Sequence, residues 1–136
     1  MLEQYPDDVK LVFKNFPLTR IHKAAMNAAV GAMAAHQQGK FWEFHAELFK
    51  NYNKLNDAKI DEIATSLELD MDLFGQDMQK PEIKWIVQRD LKDGSAAGVR
   101  GTPSIFINGR QLKQRSFAGF KAVIDAELAK AKKEKK

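Results

Sequence analysis

Residues 98–109 read GVRGTPSIFING, and few architectures accept that run. Gly98 and Gly101 let the backbone turn sharply. Pro103 has no N–H to give to a sheet, so it fits only the opening or the edge of a strand. Residues 104–108 are short and apolar, as such a strand would be. Asn108-Gly109 tolerates positive φ at both positions, which predicts a two-residue hairpin turn with Gln111, Leu112 and Lys113 returning. A Pro opening a strand behind a Gly-containing loop is one of the settings of a cis bond. Local sequence alone still favours trans, since only about 5–6% of X-Pro bonds in folded proteins are cis.

Upstream, VKLVFKNF (residues 9–16) is rich in Val, Leu and Phe and bounded by Pro6 and Pro17, which predicts a strand. Val9, Leu11 and Phe13 would share one face and Val12 and Phe16 the other. Helical periodicity then takes over. An Ala-rich helix is expected over residues 20–38, capped by Thr19 and stopped by Gly39. A second carries Phe41, Phe44, His45, Leu48, Phe49 and Tyr52, and a third Ile60, Ile63, Ala64 and Leu67. A fourth starts after Asp70. A fifth starts near Pro81 and ends at Gly94. Behind the hairpin, Ser116 can cap a last helix with Phe117, Phe120, Val123, Ile124 and Leu128 as its apolar face. At the front, MLEQYP reads as the last turn of a helix, with Leu2 and Tyr5 three apart.

At 136 residues and 44% hydrophobic, one domain with a real core is expected, and zero Cys excludes a disulfide, a thiolate nucleophile or a Cys-ligated metal. His22, His36 and His45 lack metal-ligand spacing, so no metal site is expected. Neither a hydrolase pattern nor a Gly-rich phosphate loop is present. Trp42 and Trp85 sit in apolar helical contexts and are expected in the core. No apolar run is long enough to span a bilayer, and the N-terminus does not have the character of a signal peptide. Net charge is +4, and residues 130–136 (KAKKEKK) hold five Lys and one Glu, so the rest of the chain balances to zero. The basic balance therefore belongs to a solvated helix end, and no nucleic-acid partner is expected.

Three blocks then carry a resemblance: YPDDVKLVFKNFPL, GKFWEFHAELFKN, and GVRGTPSIFINGRQL with a closing FKAVIDAEL. In this order and spacing the chain, from residue 2 to about 129, resembles the DsbA-like thiol-disulfide oxidoreductases of the thioredoxin superfamily. The resemblance implies an α/β, mostly helical thioredoxin-like (DsbA-type) fold over a single truncated domain, residues 1–136. Within it, residues 19–94 would be a helical insertion. Residues 95–129 would hold the cis-Pro loop, a β-hairpin and the last helix, and residues 130–136 a Lys-rich tail. It implies that Thr102-Pro103 is the cis-Pro loop, and that Val99, Arg100, Gly101, Thr102 and Pro103 bind polypeptide substrate through their backbone. It implies no cofactor, and an extracytoplasmic, periplasmic setting where disulfides persist.

The departure from that family is at the front. There a central strand leads into Cys-x-x-Cys at the start of a long helix, which runs into a segment like LEQYP. This sequence opens at that helix tail, so a truncated form is expected, with a natural short form as the alternative. The missing strand would lie between residues 9–16 and 104–108, and the two unpaired edges predict a homodimer or strand-swapped dimer. No catalytic residue can be assigned to a chain without Cys. Three functions compete: the body of a thiol-disulfide oxidoreductase, a non-redox module binding peptide at the cis-Pro loop, and an anionic-surface binder using the Lys tail.

Overall fold

The structure, a computed structural model, describes residues 2–134. The chain divides into two compact units. Lys14–Arg100 forms one; the residues up to Phe13, together with those from Gly101 onward, form the other.

The first unit is five helices: α1 (Ala25–Gln37), α2 (Phe41–Lys50), α3 (Asp57–Ser66), α4 (Met71–Gln79) and α5 (Pro81–Ala96). Helix α1 packs against each of the other four. Its sequence explains why: Ala28, Val30, Gly31, Ala32, Ala34 and Ala35 are buried over more than half of its circumference, and so wide an apolar surface makes it an interior helix. Small side chains let the neighbours close in. A Cβ on Gly31 would lie 3.2 Å from both Phe44 and Ile60. Phe44 and Phe74 fill the space around these alanines, their ring centroids 5.9 Å apart, with Ile60, Ile63 and Leu69 completing the core. Val30, Ile83 and Val87 form a smaller cluster against α5.

The helix ends follow local chemistry. Asn56 and Asp70 side chains accept from the N–H groups of Lys59 and Leu73, capping α3 and α4. Helix α1 stops as expected at Gly39, φ +74°, whose N–H donates to His36 O while Lys40 N–H donates to Ala35 O. That pair is the Schellman arrangement. Helix α5 starts at Pro81 but passes the expected stop: Gly94 lies inside it. The stop is Gly98, φ +87°, with Gly98 N–H donating to Ser95 O and Val99 N–H to Gly94 O. Gly94 is small for another reason, since a Cβ there would come 2.8 Å from the Phe16 ring.

A buried carboxylate ties the start of this unit to α5. Asp90 Oδ2 accepts from Asn15 N–H at 3.1 Å and Asn15 Nδ2 at 2.9 Å, and Asp90 Oδ1 accepts from Arg89 at 3.2 Å, with Lys14 Nζ at 3.6 Å. Burial pushes the carboxyl up, but the Asn15 and Arg89 hydrogen bonds and the Lys14 charge outweigh it and hold it below the ordinary carboxylate value.

The second unit contains a short 3₁₀ turn (Leu2–Gln4), a hairpin of β1 (Phe106–Ile107) and β2 (Arg110–Gln111), and α6 (Phe117–Glu134). Phe106 pairs with Gln111 and Ile107 with Arg110, antiparallel. Asn108 and Gly109 turn at φ +48° and +83°, both positive as the sequence predicts. Tyr5 Oη donates to Asp125 Oδ1 at 2.7 Å and Lys121 Nζ to Asp125 Oδ2 at 2.7 Å, tying the N-terminal turn to α6. Ser116 caps α6, its Oγ accepting from Gly119 N–H at 3.1 Å. Gly119 has no room for a side chain: a Cβ would collide with the Gln114 carbonyl oxygen.

Other expectations are corrected. No strand forms over residues 9–16. A strand needs a neighbour offering backbone groups, and among the described residues the only pairing is β1 with β2. Helix α1 begins at Ala25, not behind Thr19, because turns take up most of residues 19–24, with Ile21 and His22 N–H donating to Leu18 O. Trp42 and Trp85 are 48% and 56% exposed. Helices α2 and α5 bury Phe41 with Phe44, and Ile83 with Val87 and Asp90, so each Trp stands off the buried stripe. Residues 135 and 136 of the Lys-rich stretch lie outside the described residues; the rest of it is helical.

Two stability predictions follow from these contacts. Asp90→Ala leaves two Asn15 donors without an acceptor and should cost about 2 kcal/mol in urea unfolding. The wild-type contribution is complete above the unfolded Asp value of about 3.9 and is lost as pH falls through the lower folded value. Melting temperature followed from pH 7 into acid should therefore fall less steeply below that value in Asp90→Ala than in wild type. Gly119→Ala must displace the Gln114 backbone and should cost about 1–3 kcal/mol by the same assay.

Candidate functional site

The stretch singled out by sequence is a loop between α5 and β1. Its first residues belong to the helical unit. Val99 is half-buried, and its N–H closes the Schellman end of α5 on Gly94 O at 2.9 Å. Arg100 is exposed and, among the described residues, has no hydrogen bond or ion pair.

Gly101, Thr102 and Pro103 belong to the hairpin unit. The Thr102–Pro103 peptide bond is cis, and both residues are exposed. The carbonyls on either side of Thr102 are occupied. Gly101 O accepts from Ser104 Oγ at 2.7 Å, and Pro103 O accepts from Arg115 Nη1 at 2.7 Å. Thr102 between them makes no hydrogen bond among the described residues, through either its N–H or its carbonyl. An exposed, unpaired donor and acceptor on one residue, held by ties before and after it, is a short template for an extended chain. Downstream, Ile105 O accepts from the buried Leu112's N–H at 2.7 Å, which carries the hairpin ladder to within two residues of Pro103.

Two residues that hold this loop were not anticipated from sequence. Ser104 lies in the same motif, and a hydroxyl bonding back to a carbonyl three residues earlier is a familiar local turn device. Arg115 lies twelve residues on, across the hairpin, and only the folded hairpin brings it to Pro103.

The helical unit holds one histidine in an apolar setting. His45 stacks on Phe41 at 5.5 Å and meets Trp42 and Phe49 edge-on at 5.6 and 4.8 Å. Burial lowers its pKa below the ordinary imidazole value, so the ring is a neutral member of an aromatic cluster at pH 7. Among the described residues no group of three or more His, Asp or Glu is placed to hold a metal ion. No helix is long and apolar enough to cross a membrane.

Against known proteins, a family model described as Thioredoxin matches residues 1–126. The chain is 35% identical to Na(+)/H(+) antiporter NhaA 3 of Salinispora tropica over 76% of its own length, and 36% identical to Na(+)/H(+) antiporter NhaA 1 of Mycolicibacterium vanbaalenii over 80%. It spans only 16% and 18% of those two proteins. It is 31% identical to the probable disulfide bond formation protein D of Bacillus anthracis, over 94% of this chain and 63% of that protein. Its fold matches that of a thioredoxin-like oxidoreductase from Silicibacter pomeroyi with a TM-score of 0.71, at 24% identity, covering 88% of this chain and 68% of that one. With the family model matching residues 1–126, the chain belongs to the thioredoxin family, as a DsbA-like member of that superfamily.

Proposed function

We propose that this chain is the polypeptide-binding body of a thiol-disulfide oxidoreductase, and that Val99, Arg100, Gly101, Thr102 and Pro103 bind the substrate. The observation that carries this reading is Thr102, exposed and with its main-chain N–H and carbonyl unpaired among the described residues, while the carbonyls of Gly101 and Pro103 are held by Ser104 and Arg115. An extended, cysteine-containing polypeptide would pair with Thr102 through its own backbone, so recognition would be tolerant of sequence. Likeness to a probable disulfide bond formation protein supports a partner of that kind. Disulfides persist outside the cytoplasm, which favours an extracytoplasmic site of action.

Thiol-disulfide exchange needs a thiolate that attacks a disulfide sulfur and passes through a mixed disulfide. Residues 1–136 hold no Cys, so their contribution is binding and orientation, and the redox pair must stand on other residues. The same fact supports a second reading, a non-redox module that uses the loop to hold an extended partner. The two differ in the native protein: a Cys-x-x-Cys peptide joined upstream of Met1, found by mass spectrometry of the protein from its own cells, supports the first reading.

The loop itself is tested by fluorescence anisotropy with a short extended peptide carrying one S-methylated cysteine. Thr102→Pro removes the N–H and should weaken binding about 10-fold, the worth of one good hydrogen bond. Thr102→Ser leaves the backbone intact and should bind as wild type does. Equal binding by wild type and Thr102→Pro would place the substrate elsewhere.

A further inference from the structure

Within the hairpin unit three cations have carboxylate partners among the described residues. Lys121 pairs with Asp125, while Arg110 and Lys130 both pair with Glu127. Lys113 and Arg115, between β2 and α6, are exposed and pair with no carboxylate among the described residues. Arg115 is different from a stray surface cation. Its Nη1 is fixed on Pro103 O at 2.7 Å, and that is its one hydrogen bond among the described residues. Its backbone is held as well. Gln114 is pressed against Gly119 at the first turn of α6, and Ser116 caps that turn.

From these observations, and resting on the peptide-binding reading above, we infer that Arg115 is a specificity-determining residue that makes the loop prefer acidic polypeptides. With one nitrogen on Pro103 O, the remaining guanidinium N–H groups have no acceptor among the described residues. A planar fork of this kind suits a carboxylate. An extended peptide advances about 3.4 Å per residue. An Asp or Glu one or two residues from the position paired with Thr102 therefore comes within reach of a guanidinium anchored on the next residue, Pro103. Backbone pairing alone would be indifferent to side chains; a fixed, unneutralised cation beside it would not be. A preference carried by a charge on an exposed side chain weakens with salt.

The test uses the full chain and three versions of one short S-methylated peptide, with Glu, Gln or Lys flanking the cysteine. Anisotropy at low salt should give affinities in the order Glu, Gln, Lys, with a spread of about 5-fold between the ends, and the spread should shrink in high salt. Arg115→Glu should reverse the order and Arg115→Lys should keep it in part, with helix content by circular dichroism unchanged in both. If Arg115→Glu weakens all three peptides equally and keeps their order, Arg115 is only a brace for Pro103 and the inference fails. It fails too if the order follows Lys113→Glu and ignores Arg115→Glu. If wild type binds none of the three, the peptide-binding reading itself is overturned, and the preference with it.

Discussion

Four helices can surround a fifth only if the fifth is thin. Helix α1 meets this with Ala28, Gly31, Ala32, Ala34 and Ala35, and bulk is supplied from outside by Phe44, Phe74, Ile60 and Ile63. A core built this way is tight by construction, since small residues at the centre leave no slack to absorb a larger one. The helix ends around it are set by residues that satisfy orphan backbone groups: Asn56 and Asp70 at two starts, Gly39 and Gly98 at two stops.

The loop after α5 follows from the last of these stops. Gly98 releases the chain from the helix, and the residues behind it leave the regular ladder until β1 begins. Most main-chain groups in a folded protein find partners. Among the described residues Thr102 does not, although the carbonyls of its neighbours do, and the side chains that serve those neighbours come from both directions: Ser104 locally and Arg115 from beyond the hairpin. A residue left open between two secured ones presents its donor and acceptor in a fixed direction, which favours binding by lowering the entropy lost on pairing.

The legible parts of the chain were those governed by short-range chemistry. Helical period, the Pro81 start, the Gly39 stop and the Asn108-Gly109 turn all act within a few residues, and each is where the sequence places it. The strand over residues 9–16 and the stop at Gly94 were misread for one cause, dependence on a distant partner. Residues 9–16 have strand composition, but composition does not provide a neighbouring strand, and Asn15 gives its N–H to Asp90 instead. Gly94 looked like a stop because its other role, making room for Phe16, involves a residue far back in sequence. Trp42 and Trp85 are apolar residues on amphipathic helices, yet a place off the buried stripe suffices to leave them half in water. Of the candidate site, the loop was visible in GTPS, while Arg115 was hidden because only the closed hairpin makes it a neighbour of Pro103.

The lysines near the C-terminus have a consequence of their own. As a disordered tail they could all turn to one anionic surface at once. In the structure α6 continues to Glu134, so Lys130, Lys132 and Lys133 are borne on a rod. At about 100° per residue, Lys130 and Lys133 share one side and Lys132 faces away, with Lys130 already paired to Glu127. A flat membrane or a nucleic-acid backbone would meet a fraction of that charge. Helicity thus divides the charge of these three lysines between two sides of the rod.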